Sequence, residues 1–221
     1  MPHTYSPEGL RRHLKRSGLD VSYETGWSDA ANDPFGISPS HGVIMHHTAN
    51  GGARGDHPSL YWMMHNEFAP VRAAHFLVGR SGRIMCVAGR GAYHAGSGGP
   101  VRVDDRLVPL NQGNKYLVGI EIESKGTSTS TTARVDQVDG YTPEQIDSAT
   151  KLAAALCGLM QVSYRTVITH AAWTNGDFDG NPRLPTYGRK NDTLLSVKFW
   201  RRRVRLEMLK MRARRLLKRN A

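Results

Sequence analysis

Apolar residues in this 221-residue chain fall mostly into short runs separated by Gly-, Pro- and Ser-rich stretches, and only two segments carry a long helical period. One opens at Thr142-Pro143-Glu144-Gln145. Thr142 can cap a helix there, Pro143 suits the first helical position, and Gln145 completes a reciprocal capping box. Ile146, Ala149, Leu152, Ala153, Leu156 and Leu159 then recur every three or four positions, which predicts a helix with one buried face. The other starts near Thr193 and contains two stripes, one through positions 200, 204, 208 and 211 and one through 206, 209, 213 and 216, with Arg and Lys filling much of the remainder. Shorter helices are expected over residues 7–16, ended by Gly18, and over Leu60–His65 behind Pro58-Ser59.

The short apolar runs read as strands. Gly42-Val43-Ile44-Met45 suits a buried strand that delivers His46 at its C-terminal end. Residues 75–78 and 83–87 flank Gly79-Arg80-Ser81-Gly82, a hairpin signal. Residues 116–123 begin with a continuous apolar run and end in alternation, and Val167-Ile168-Thr169 presents His170. Residues 25–41, 126–140 and 174–187 read as irregular. Strands alternating with helices predict one α/β domain, a central mixed sheet flanked by helices. The expected organisation is an N-terminal extension over 1–41, a main domain over 42–197 and a basic amphipathic helix over 198–221.

Composition changes the picture in one respect. The formal charge of +11 suggests a polyanion-binding protein, yet residues 198–219 hold eleven Lys or Arg against Glu207 alone, a balance of +10 that leaves +1 for the rest. Basicity belongs to the tail. Cys86 and Cys157 stand far apart among apolar neighbours, which predicts two buried thiols and no disulfide framework. The N-terminal residues lead into Arg11-Arg12-His13 without an apolar run, so neither a secretion signal nor a membrane span is expected.

Candidate chemistry lies in three places: Met45-His46-His47-Thr48, Thr169-His170, and Gly188-Arg189-Lys190-Asn191-Asp192. Two histidines and a carboxylate form a three-ligand set with one position open, the pattern of a catalytic zinc and not of a closed structural one. His47 must face opposite His46 on a strand, and Glu123 shares a face with Glu121. Asp177 and Asp179 stand as rival carboxylates to Asp192.

His46-His47-Thr48-Ala49, Ala74-His75-Phe76, Tyr93-His94-Ala95-Gly96, Gly119-Ile120-Glu121-Ile122-Glu123, Thr169-His170 and Arg189-Lys190-Asn191-Asp192 occur in this order. Over roughly residues 42 to 195 the chain resembles the zinc-dependent N-acetylmuramoyl-L-alanine amidases of the type 2 amidase and peptidoglycan-recognition-protein superfamily, which includes many phage endolysins. The resemblance implies one Zn²⁺ held by His46, His170 and Asp192, with Glu121 as the catalytic acid of members that have Ala, here Ala74, before the hairpin histidine. It places Lys190 where the family keeps a basic residue near the reacting carbonyl. Thr193 stands where the family often has Pro.

The implied reaction is hydrolysis of the bond between N-acetylmuramic acid and L-alanine in peptidoglycan. His94 and Trp173 are expected substrate contacts. The implied setting is a monomeric phage lysin, made in the host cytoplasm and acting on the wall after release. The cationic tail is expected to meet anionic membrane or wall polymer and no specific nucleic acid. The competing class within the same fold is a peptidoglycan-binding module without catalysis.

Overall fold

The structure, a computed structural model, describes residues 5–29, 39–50, 54–65, 72–176 and 193–217. Helix α1 (Pro7–Arg16) leads into β1 (Val21–Tyr23), β2 (Gly42–His47), α2 (Leu60–His65), β3 (Phe76–Val78) and β4 (Ile84–Cys86). A hairpin of β5 (Val101–Val103) and β6 (Arg106–Val108), α3 (Gly113–Tyr116), β7 (Leu117–Ile122), α4 (Pro143–Met160), β8 (Val167–Thr169), α5 (His170–Asn175) and α6 (Val197–Leu217) complete the order.

Six strands form one sheet in the order β1-β4-β3-β7-β2-β8. β3, β7, β2 and β8 run parallel, while β4 is antiparallel to β3 and carries β1 parallel to itself, so the sheet is mixed. β2, fully buried, lies between β7 and β8 and pairs His46 with Glu121 and Met45 with Thr169. The carboxyl ends of three parallel strands therefore converge, the edge at which open α/β sheets place their ligands.

Alternation along β2 sorts its side chains. Val43 and Met45 join the larger core with Val118, Ile120, α4, Leu10 and Leu14 of α1, and Trp200 and Val204 of α6. Ile44 faces the other way, into a second core with Leu117, Ile168, Ala172 and Trp173. α1 and the first turns of α6 are thus built into the main core. The capping box of α4 forms as its sequence predicts: Thr142 Oγ1 accepts from the Gln145 backbone, and Gln145 Oε1 accepts from Thr142 N.

The loop between β7 and α4 has no regular structure, and its backbone is gathered by Arg80 from the β3–β4 turn. This buried guanidinium donates to the carbonyl oxygens of Glu123 (3.0 Å), Gly140 (2.8 Å) and Arg134 (3.1 Å) and to Gln145 Oε1 (3.0 Å). Cys86 and Cys157 are free buried thiols. The pattern reading missed β1, β5, β6, α3 and α5. β1, β5 and β6 each include a polar residue among their three, Ser22, Arg102 and Arg106 respectively, whereas the equally short β3, β4 and β8 lie in apolar runs, and His170 opens a helix where only the end of a strand was foreseen.

Candidate active site

His46 is the penultimate residue of β2, paired with Glu121 of β7, and His170 is the first residue of α5, whose N-cap Thr169 ends β8 and accepts from Ala172 N. His46 thus stands at the carboxyl end of its strand and His170 directly after the end of its own, so both imidazoles lie at the carboxyl edge of the sheet. Their Nδ1 atoms lie 3.0 Å apart, and Glu121 Oε1 stands 3.9 Å from His46 Nδ1. All three side chains are largely shielded from solvent.

The hydrogen bonds around these rings assign their tautomers. His94 Nε2 lies 2.9 Å from the Leu117 carbonyl, which can only accept, so His94 carries its proton on Nε2. Burial, with His46 and His75 nearby, holds His94 well below the usual histidine pKa, so the ring is neutral and its Nδ1 is an acceptor. That acceptor lies 3.1 Å from His46 Nε2, which must therefore donate. His46 in its neutral form then presents a lone pair at Nδ1. His170 Nε2 likewise donates to Ala95 O at 3.0 Å, so in its neutral form it too presents a lone pair at Nδ1. Two nitrogen lone pairs facing each other at 3.0 Å repel unless a cation lies between or beside them.

That donor set fits zinc. Two imidazole nitrogens bonded to one tetrahedral zinc at about 2.0–2.1 Å would stand only a few tenths of an ångström further apart than these do. The remaining ring nitrogens are held by protein acceptors, as ligating histidines require. Among the described residues no group of three or more His, Cys, Asp or Glu is arranged to hold a metal ion. Asp192, Lys190 and the rival carboxylates Asp177 and Asp179 lie outside the described residues.

A second layer fixes the first. Asn114 Oδ1 accepts from the backbone of His94 (2.8 Å) and of Ala95 (2.7 Å). One carboxamide thus holds the loop that supplies both the His46 partner and the His170 acceptor. Gly119 leaves room for this arrangement, since a Cβ there would come within 2.5 Å of His94 Cγ. His75 accepts from Gly119 N at Nδ1 (3.0 Å) and donates to Arg90 O from Nε2 (2.7 Å), and burial pushes its pKa down to about 4. Both of its nitrogens are committed to backbone.

Glu121, not Glu123, is the acid beside His46. The Glu123 carboxylate accepts from Ser59 N (2.8 Å), Ser59 Oγ (2.9 Å) and Thr48 Oγ1 (2.9 Å); burial raises its pKa and these donors lower it, with burial the larger. It ties the end of β2 to the start of α2. His47 points to the opposite face, 3.4 Å from Tyr141 Oη.

Two expected substrate contacts stand elsewhere. Trp173 is fully buried in the second core, against Gly98, Gly99 and Gly113, where an added Cβ would come within 2.6–2.9 Å of its indole, so it is a packing residue. His94 is buried with both ring nitrogens bonded inside the protein and acts on His46 instead. Trp62 and Tyr93 do reach solvent. Asn114 went unnoticed because an Asn before an apolar strand reads as an ordinary turn residue.

The profile of the N-acetylmuramoyl-L-alanine amidase family matches residues 37–192, and the chain belongs to that family. It is an enzyme that hydrolyses the amide between N-acetylmuramic acid and L-alanine. No curated protein matches it by sequence. Among solved structures it is similar to the catalytic domain of XlyA, with 19% identity, a TM-score of 0.53, and 84% of this chain and 99% of that one covered. It is also similar to an endolysin from a Thermus scotoductus bacteriophage, with 12% identity, a TM-score of 0.50 and the same coverages of 84% and 99%. A mutant endolysin from Bacillus subtilis gives 20% identity and a TM-score of 0.48 over 70% of this chain and 86% of that one. The first two share the fold.

Proposed function

We propose that this amidase is zinc-dependent and that it serves as a phage-type lysin acting on the peptidoglycan of its host. The observation that carries the zinc reading is the pair of facing Nδ1 lone pairs on His46 and His170, each set by a hydrogen bond at the far nitrogen. Asp192 completes the ligand set, one carboxylate beside two neutral imidazoles. The endolysin of the Thermus phage, alike in fold, supports the lysin role.

Zinc bound there supplies Lewis-acid polarisation of the scissile carbonyl and a water acidic enough to ionise near neutral pH. Glu121 takes the proton of the attacking water on its carboxylate and returns it to the leaving alanine nitrogen. Its place beside His46 in the strand register supports that role. Lys190 adds positive charge where the tetrahedral oxyanion forms; one such donor is typically worth about 3 kcal/mol. His94 is a positioning residue, holding His46 with Nδ1 toward the metal.

Clearing of purified peptidoglycan, scored by release of new N-terminal alanine, tests the reading. Activity should vanish after chelation and return with added Zn²⁺; undiminished activity in the fully chelated enzyme would overturn it.

A further inference from the structure

The two stripes of α6 point in opposite directions. Trp200 and Val204 are buried in the main core, with Met208 and Met211 packed against it. Trp200 Nε1 donates to Thr193 Oγ1 at 3.0 Å, and Arg201 Nε donates to the Val167 carbonyl of β8 at 2.9 Å, which fixes the helix's rotation about its axis. At 3.6 residues per turn, Leu206, Leu209, Ala213 and Leu216 then lie on the face turned away from the core. All four are exposed, the three leucines by half or more.

This ridge carries no exposed acid. Glu207, the one acidic residue of α6, is buried and paired with Lys210 (3.4 Å) and Arg214 (3.8 Å). On one side of the ridge stand Lys198, Arg205 and Arg212, on the other Arg203, Lys210 and Arg214, all exposed. A groove of about 650 Å³ runs beside it, lined in part by Arg201, Arg202, Arg205 and Tyr164, and it shares Leu206 and Leu209 with the ridge.

We propose that the outer face of α6 is a docking surface for an anionic lipid bilayer. The ridge enters the boundary between headgroups and acyl chains, and the flanking guanidinium and ammonium groups meet lipid phosphates. Cations alone would suit any polyanion; a leucine ridge between two cationic rows suits a surface that is anionic outside and apolar beneath. The helix lies on the bilayer, since among the described residues no helix is long and apolar enough to cross one. Docking leaves the fold unchanged, because the face that binds lipid is the one that the core does not use.

Co-sedimentation of the full chain with phosphatidylglycerol vesicles and with phosphatidylcholine vesicles tests this. Binding should favour phosphatidylglycerol, and the combined variant Leu206→Ser, Leu209→Ser, Leu216→Ser should weaken it by about tenfold or more. The same variant should keep the parent's far-UV circular dichroism and its hydrolysis of purified wall, since these side chains are exposed and remote from the histidines. Equal binding to both vesicle types would overturn the proposal. So would a leucine variant that binds phosphatidylglycerol like the parent while Arg→Gln changes abolish binding to vesicles and soluble polyanions alike, which marks a polymer-binding face. Concentration-dependent dimerisation removed by the leucine variant, without vesicle binding by the parent, would assign the ridge to a second copy of the chain and overturn it equally.

Discussion

His94 touches no substrate in the proposed site, yet its replacement should be felt at the metal. Its Nδ1 accepts from His46 Nε2 at 3.1 Å and its Nε2 donates to Leu117 O at 2.9 Å, so removing the ring strands one buried donor and one buried acceptor. Losing such a partner of a ligating histidine typically weakens metal binding by about 10- to 100-fold, or about 1.4–2.7 kcal/mol. The unsatisfied groups cost the metal-free fold about 1–3 kcal/mol besides. Two conservative variants separate the halves of the chain of bonds. His94→Asn keeps an acceptor near the Nδ1 position and should hold zinc affinity within about threefold of the parent, whereas His94→Gln keeps a donor near Nε2 and should fall with His94→Ala. Competition against a chromogenic chelator reads the affinity, and urea unfolding of the chelated protein reads the fold. A folded His94→Ala that binds zinc as tightly as the parent would refute the reasoning.

Glu121→Gln should bind zinc normally and lose at least about a hundredfold in kcat, the usual scale of a general acid–base group; turnover near the parental rate would pass the proton-carrying role to another group. Asn114→Ala frees the backbone of both His94 and Ala95, so it should lower zinc affinity and destabilise the chelated fold by about 1–3 kcal/mol, measured in the same two assays. His75 is neutral when folded because burial lowers its pKa from 6.5 to about 4, so the stability tied to it is complete above pH 6.5 and drains as pH falls toward 4. That loss approaches about 3 kcal/mol, and His75→Gln should flatten the fall in urea midpoint of the chelated protein between about pH 7 and pH 4.5; an equally steep fall would locate the acid sensitivity elsewhere. Arg80→Lys should destabilise the fold by about 3 kcal/mol or more, since a single ammonium cannot reach four acceptors arranged for a guanidinium, and thermal unfolding near the parental temperature would count against that.

The parts of the fold legible in the sequence are those with a strong local code. The capping box at Thr142 and the period behind it mark α4, and the apolar run ending at His46 marks β2. The two stripes of α6 were visible too, although periodicity alone does not say which of them the core takes; Trp200, with its bulk and its indole donor, decides. Three-residue strands that include a charge, as β5 does in Arg102 and β6 in Arg106, leave no apolar run to read. The site was half legible for a similar reason. Residue order and motif brought His46, His170 and Glu121 together, while the roles of His94, Trp173 and Asn114 depend on close approaches at Gly119, Gly98 and Gly113 that no spacing encodes.

Arg80 holds the stretch between β7 and α4 through three carbonyl oxygens and the side chain of Gln145. Every residue type offers the same carbonyl, so this clasp asks little of the loop's own side chains. Exposed positions of this loop such as Thr129 and Val135, unlike Gly126 and the buried Ala133, are therefore places where the chain's exterior chemistry can be rewritten while its backbone path is retained. For an enzyme that works on a polymer, a tether of that kind separates the cost of staying folded from the choice of what the surface recognises.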